Sequence, residues 1–134
     1  MPHASHALQK AIFAALAGDA AVGALIGDRI YDAAPRDAAF PYVGLGQASF
    51  ADWSTSTEAG AEHRLVLHVW SRERGKAETL RIIAAVTAAL DDAALALDGQ
   101  RLVNLRFETG DAARDPDGIT WHGVMRFRAV TEPA

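Results

Sequence analysis

Five histidines are the residues most able to hold a metal ion. His3 and His6 stand three apart near the start of a helical pattern, and His68 and His122 fall at positions that can share the outward face of adjacent strands. A metal site needs three or four converging ligands, and no spacing here supplies the third. The acidic pairs Asp91-Asp92, Glu108-Asp111 and Asp115-Asp117 suggest acid–base work or calcium loops. The run from Asp111 to Thr120 lacks the alternate ligands and the closing glutamate of an EF-hand, so these carboxylates read as turn and solvation residues. With no cysteine there is no thiolate nucleophile, disulfide or zinc–cysteine site. No GxSxG frames a serine, and Gly44-Leu45-Gly46 lacks the third glycine and the following helix of a phosphate loop. No catalytic, cofactor-binding or metal residues are therefore expected, and the chain does not read as an enzyme.

The elements that would carry these side chains follow from periodicity. Leu8, Ile12 and Leu16, with Phe13 beside them, mark a helix over Ser5 to Ala17, stopped by Gly18. Ala20 to Ile26 reads as a short helical turn followed by a bend, and Pro35 to Pro41 as a connector. Tyr42 to Gln47 reads as a strand, and residues 48–60, rich in Ser, Thr, Ala and Gly, as a long loop. Glu62 to Ser71 alternates Leu65, Leu67 and Val69 against Arg64, Val66, His68 and Trp70. Gly75 to Leu90 is the strongest helical pattern, with Leu80, Ile83, Ala84, Thr87 and Leu90 along one side and Ile82, Val86 and Ala89 widening the stripe.

Arg101 to Phe107 alternates again, and the turn-rich GDAARDPDG leads into Ile119 to Ala129. There Ile119, Trp121, Met125, Phe127 and Ala129 are expected inward, with Thr120, His122, Arg126 and Arg128 outward. The last two strands should form an antiparallel hairpin. The fold class expected is α+β: a mainly antiparallel sheet of about four strands, with two main helices packed on one face. All 134 residues fit one domain.

Net charge is −4, and no basic stripe appears beyond Arg72, Arg74 and Lys76. Nucleic-acid binding through several convergent cations is not expected. No apolar run reaches the length of a membrane span, and the first residues lack the pattern of a signal peptide, so the chain is expected in the cytoplasm where it is made. What the core does not absorb is apolar and cationic surface. Phe50 and Trp53 lie in the polar loop with Ser54 and Thr55, and Trp70 and Arg72 close the outward strand face. With Arg114, Arg126 and Arg128 these form the candidate subunit or partner interface, because aromatic rings and guanidinium groups are enriched where proteins meet.

Read in order, Arg29-Ile30-Tyr31-Asp32, Phe40-Pro41-Tyr42-Val43, Asp52-Trp53-Ser54-Thr55, Leu67-His68-Val69-Trp70-Ser71-Arg72 and Gly75-Lys76-Ala77-Glu78 resemble the tail-completion, or tail-terminator, proteins of long-tailed phages. The closing Asp117-Gly118 and Gly-Val-Met-Arg-Phe-Arg at 123–128 extend the resemblance over residues 5–132. It implies a structural protein that assembles with itself as a hexameric ring, caps the tail tube protein, ends its polymerisation and docks the head-side connector. DNA would pass through the lumen without specific binding, no cofactor or membrane would take part, and the site of action would be the head–tail junction of a phage, prophage or gene transfer agent particle. A cytoplasmic ligand-sensing or adaptor domain of the same architecture is the competing reading.

Overall fold

A computed structural model describes residues 3–134. Helix α1 (Ala4–Ala17) begins where the His3 ring nitrogen Nδ1 accepts the Ser5 N–H at 3.0 Å, and ends where the Gly18 N–H reaches the Ala14 carbonyl. Its stripe of Leu8, Ile12 and Leu16 is buried as the periodicity requires. Helix α2 (Ala20–Ile26) buries Val22 and Ile26, and helix α3 (Ala77–Leu90) follows the third strand. No single helix among the described residues is long and apolar enough to cross a membrane.

The strands are β1 (Ile30–Tyr31), β2 (Tyr42–Asp52), β3 (Ala61–Ser71), β4 (Ala96–Leu97), β5 (Gln100–Arg114) and β6 (Trp121–Pro133). They form one sheet in the order β1-β2-β3-β6-β5-β4, antiparallel except for the β1–β2 pair. The four expected strands are the four long ones; β1 and β4 are two-residue additions at the borders, and α2 adds a third helix. The class remains α+β. Leu65, Leu67, Val69, Leu105, Met125, Phe127 and Ala129 form one buried cluster with the helix stripes. Alternate residues, among them His68, His122, Arg126 and Arg128, fall on the opposite face of β3 and β6.

Three expectations are corrected. The segments 48–52 and 108–114, expected in loops, are strand, because β3 and β6 run past them and offer a continuous ladder of backbone partners. Only 53–60 and 115–120 remain as connections between these strands. In β6, Ile119 is 61% exposed while Thr120 is 4% exposed, the reverse of the alternation read from sequence. The strand starts only at Trp121, and both preceding residues belong to a turn in which Asp117 accepts the Ile119 and Thr120 N–H groups. Trp121 itself is half-buried at the end of the core row.

In α3 the buried stripe is Thr79, Ile82, Val86 and Leu90, while Leu80 is 47% exposed and Ala84 lies in solvent. The helix is apolar around most of its circumference, so the sheet, not the pattern, chooses the face. Gly123 fixes that choice: a Cβ there would lie 2.9 Å from both Ile83 Cδ1 and Thr79 Cγ2. The bare glycine is the seat of the helix on β6.

Candidate assembly surface

The sheet face opposite the buried core carries most of the candidate residues, and its charges are already matched within the chain. Arg106, Arg128 and Arg64 stand side by side in one row across β5, β6 and β3. Three like charges in register repel, and carboxylates from the sheet and from the end of α3 offset them. The Arg128 guanidinium donates to Glu62 Oε2 through two nitrogens, each at 2.7 Å. Arg64 donates to Glu108 at 2.6 Å, Arg106 to Asp91 at 3.2 Å, and Arg126 lies 3.7 Å from Asp111. Arg126 and Arg128, expected in the candidate interface, each lie against a carboxylate of their own chain. Apart from the half-buried Arg128–Glu62 pair, these are exposed pairs that orient side chains more than they stabilise the fold.

Next to them lies an aromatic stack. Trp70 and His122 face each other across β3 and β6, and the His68 Nδ1 and His122 Nε2 atoms are 2.7 Å apart, sharing a hydrogen bond. Partial burial pushes both imidazoles below the ordinary histidine pKa, reinforced at His68 by His122 and Arg126; Asp115 and Asp111 pull His122 back upward. The two rings bond to each other, and no group of three or more His, Asp or Glu able to hold a metal converges among the described residues. His63, which the sequence reading passed over, is fully buried: its Nε2 lies 2.8 Å from the Thr131 hydroxyl and desolvation lowers its pKa. Its place in the core-facing row of β3, two before Leu65, was the available signal.

The loop aromatics separate. Phe50, 54% exposed, shares a row with buried His63 and lies beside the His3 ring at 4.5 Å, on the helix-bearing side. Trp53, 53% exposed, lies on the other side beneath the Arg128 guanidinium at 5.3 Å. Ser54 and Thr55 shape the connection: the Ser54 hydroxyl donates to Asp52 at 2.6 Å and accepts the Gly60 N–H, and Thr55 Oγ1 accepts the Glu58 N–H at 3.0 Å. Arg72 donates to Thr120 Oγ1 at 3.1 Å and stacks over Phe40 at 4.1 Å, and Arg114 stacks over Trp121 at 5.2 Å. These intrachain partners could not be read from the sequence.

Residues 10–132 match the family model described as "Tail completion protein gp17". The chain belongs to this family. It is 28% identical over 125 residues to the tail completion protein gp17 of Bacillus phage SPP1, covering 93% of this chain and 92% of that one. Among solved structures it is similar to a chain in the virion of a native gene transfer agent particle, with a TM-score of 0.89, 38% identity and coverage of 98% and 99%. It is also similar to the structure of bacteriophage SPP1 gp17, with a TM-score of 0.64, 28% identity and coverage of 94% and 89%. The tail completion protein is therefore a structural component of the tail of a phage or phage-like particle, associated there with other tail and head proteins, and not an enzyme.

Proposed function

We propose that this tail completion protein closes the head-proximal end of the tail tube as a homo-oligomeric, hexameric ring, stops tube polymerisation there and presents the docking surface for the head-side connector. The observation that carries this reading is the match, over nearly the whole of both chains, to a component of an assembled gene transfer agent virion. A tube is rotationally symmetric, and a cap that fits it presents repeated head-to-tail contacts that close. Phe50 and Trp53, each more than half exposed on opposite sides of the sheet, supply apolar contact area suited to neighbours. Trp70, Arg72, Arg114, Arg126 and Arg128 present the polar and stacked surface around them, while Ser54 and Thr55 hold the Trp53 connection in shape.

The ring's lumen lets DNA pass without holding it. Each chain carries a net charge of −4, and Arg126 and Arg128 already face carboxylates of their own chain. A wall without free cations does not release counterions from phosphate, so it does not grip the duplex. Electron microscopy of particles made with and without the gene tests the function. The expected result is a closed ring at the head-proximal tail end and, without the protein, tails of uncontrolled length that do not join heads. A single copy or an unclosed arrangement at that position overturns the reading.

A further inference from the structure

Both borders of the sheet are open along most of their length. β1 covers β2 only at Val43 and Gly44, so residues 45–52 have no strand partner on that side among the described residues. At the other border β4 pairs with Gln100 and Arg101. The end of α3 occupies two more groups of β5: the Asp92 N–H donates to the Leu105 carbonyl at 2.7 Å, and the Phe107 N–H donates to Asp91 Oδ1 at 2.8 Å. Residues 108–114 beyond them have no strand partner on that side among the described residues.

The turns show which backbone groups face outward. The Trp53 N–H points across to Gly60 at 2.9 Å, so by strand alternation the N–H and C=O groups of Ala48, Phe50 and Asp52 point away from β3. The Asp115 N–H points to Thr120 at 2.7 Å, so those of Gly110, Ala112 and Arg114 point away from β6. Each edge thus offers alternating donors and acceptors. Sheets ordinarily protect such edges with lysine, proline or a covering segment. Residues 45–52 contain no lysine or proline and one charge, Asp52 at the end.

Topology selects the occupant. β2, β3, β6 and β5 are successively antiparallel, so β2 and β5 run in opposite directions. Rotation about a ring axis preserves each strand's inclination to that axis. β5 of one chain set beside β2 of the next is therefore antiparallel without any rearrangement. Pairing β2 with β2 in a twofold dimer would leave β5 open in both copies, whereas head-to-tail pairing uses both edges and closes.

We propose that the free edge of β5, Glu108–Arg114, pairs antiparallel with the free edge of β2, Leu45–Asp52, of a second copy of this chain. The sheet then continues from subunit to subunit. This rests on the ring reading and names the backbone contact that would build it.

Full overlap of the two segments sets Ala112 opposite Ala48, and the chain has no cysteine to interfere with cross-linking. Ala48→Cys is combined in turn with Gly110→Cys, Ala112→Cys and Arg114→Cys, and purified particles are oxidised and run on non-reducing gels. A ladder of multimers of this chain from at least one pair, and none from the single variants, is expected. A ring visible by electron microscopy with no ladder from any pair overturns the edge pairing and leaves the ring reading standing; particles with no ring overturn that reading itself. As a second arm, Ala112→Pro removes an outward N–H at a sheet edge, a position where strands tolerate proline. It should melt close to the parent yet fail to enter particles, while Ala112→Ser enters normally. A folded Ala112→Pro chain that enters particles normally overturns the proposal.

Discussion

The indole of Trp70 lies flat on the imidazole of His122, with ring centroids 3.8 Å apart and planes inclined by 3°. His122 in turn shares a hydrogen bond with His68, so three side chains of β3 and β6 form one stacked unit on the sheet face turned away from the core. In the neutral pair one imidazole donates and the other accepts, and protonation of both rings leaves two donors facing each other and abolishes that arrangement.

Stability should therefore fall on mild acidification. His63, His68 and His122 all have folded pKa values below the ordinary 6.5, chiefly through desolvation. The unfolded chain binds protons that the folded chain refuses, so stability is full above the unfolded pKa and declines as pH drops below it, until the folded values are passed. Thermal melts between pH 7.5 and 5 should show a falling Tm. A His122→Gln variant should show a shallower fall; an unchanged slope would remove this pair as a cause.

Gly46→Ala should destabilise the fold by about 1–3 kcal/mol, the usual cost of overpacking. Its Cβ would stand 2.5 Å from His68 Nε2 and 2.8 Å from the Val66 carbonyl, beside the irregular register between Leu45 and Ala48. Gly23→Ala, where a Cβ meets nothing within 4 Å, is the matched control and should be neutral or stabilising. Equal melting temperatures for the two variants would contradict the close approach.

The two tryptophans nearest the strand ends should behave differently from a core aromatic. Phe127→Ala empties a fully buried position and should cost about 3–5 kcal/mol. Trp121, half-buried under Arg114, should cost less, about 2 kcal/mol. Trp53→Ala should leave the melt nearly unchanged and reduce incorporation into particles. A large loss of Tm with normal incorporation would make Trp53 part of the fold alone.

Asp117 should contribute to the acid limb, alongside Asp91, whose carboxyl the Phe107 N–H and Arg106 also hold low. Hydrogen bonds from Thr120 and Ile119 hold the Asp117 carboxyl below the usual 3.8, so its contribution is present at neutral pH and is lost as pH falls through that lowered value. Asp117→Ala should lower Tm at pH 7 and flatten the Tm profile below about pH 4. A parent-like profile in the variant would show that the turn holds without the carboxylate.

DNA should bind the assembled ring weakly. A salt-sensitive affinity that disappears on replacing Arg126 and Arg128 would place those guanidinium groups on the DNA path, in conflict with the pairs they form with Asp111 and Glu62.

Periodic sequence alone determined the α1 stripe, the two faces of β3, the β5–β6 hairpin and the α+β class, because burial of one side of a helix or strand writes its period into the residue types. Local pattern could not reveal that ASFAD at 48–52 and ETGDAAR at 108–114 are strand: their small and polar residues have weak preferences, and the decision came from the neighbouring strands that pair with them. Nor could it place Leu80 outside and Thr79 inside, since that depends on Gly123 on another element. The candidate residues Phe50 and Trp53 were legible as unabsorbed aromatics, but their assignment to opposite sides of the sheet was not. Residue types report how much surface must be buried, and only the packed chain decides which neighbour buries it.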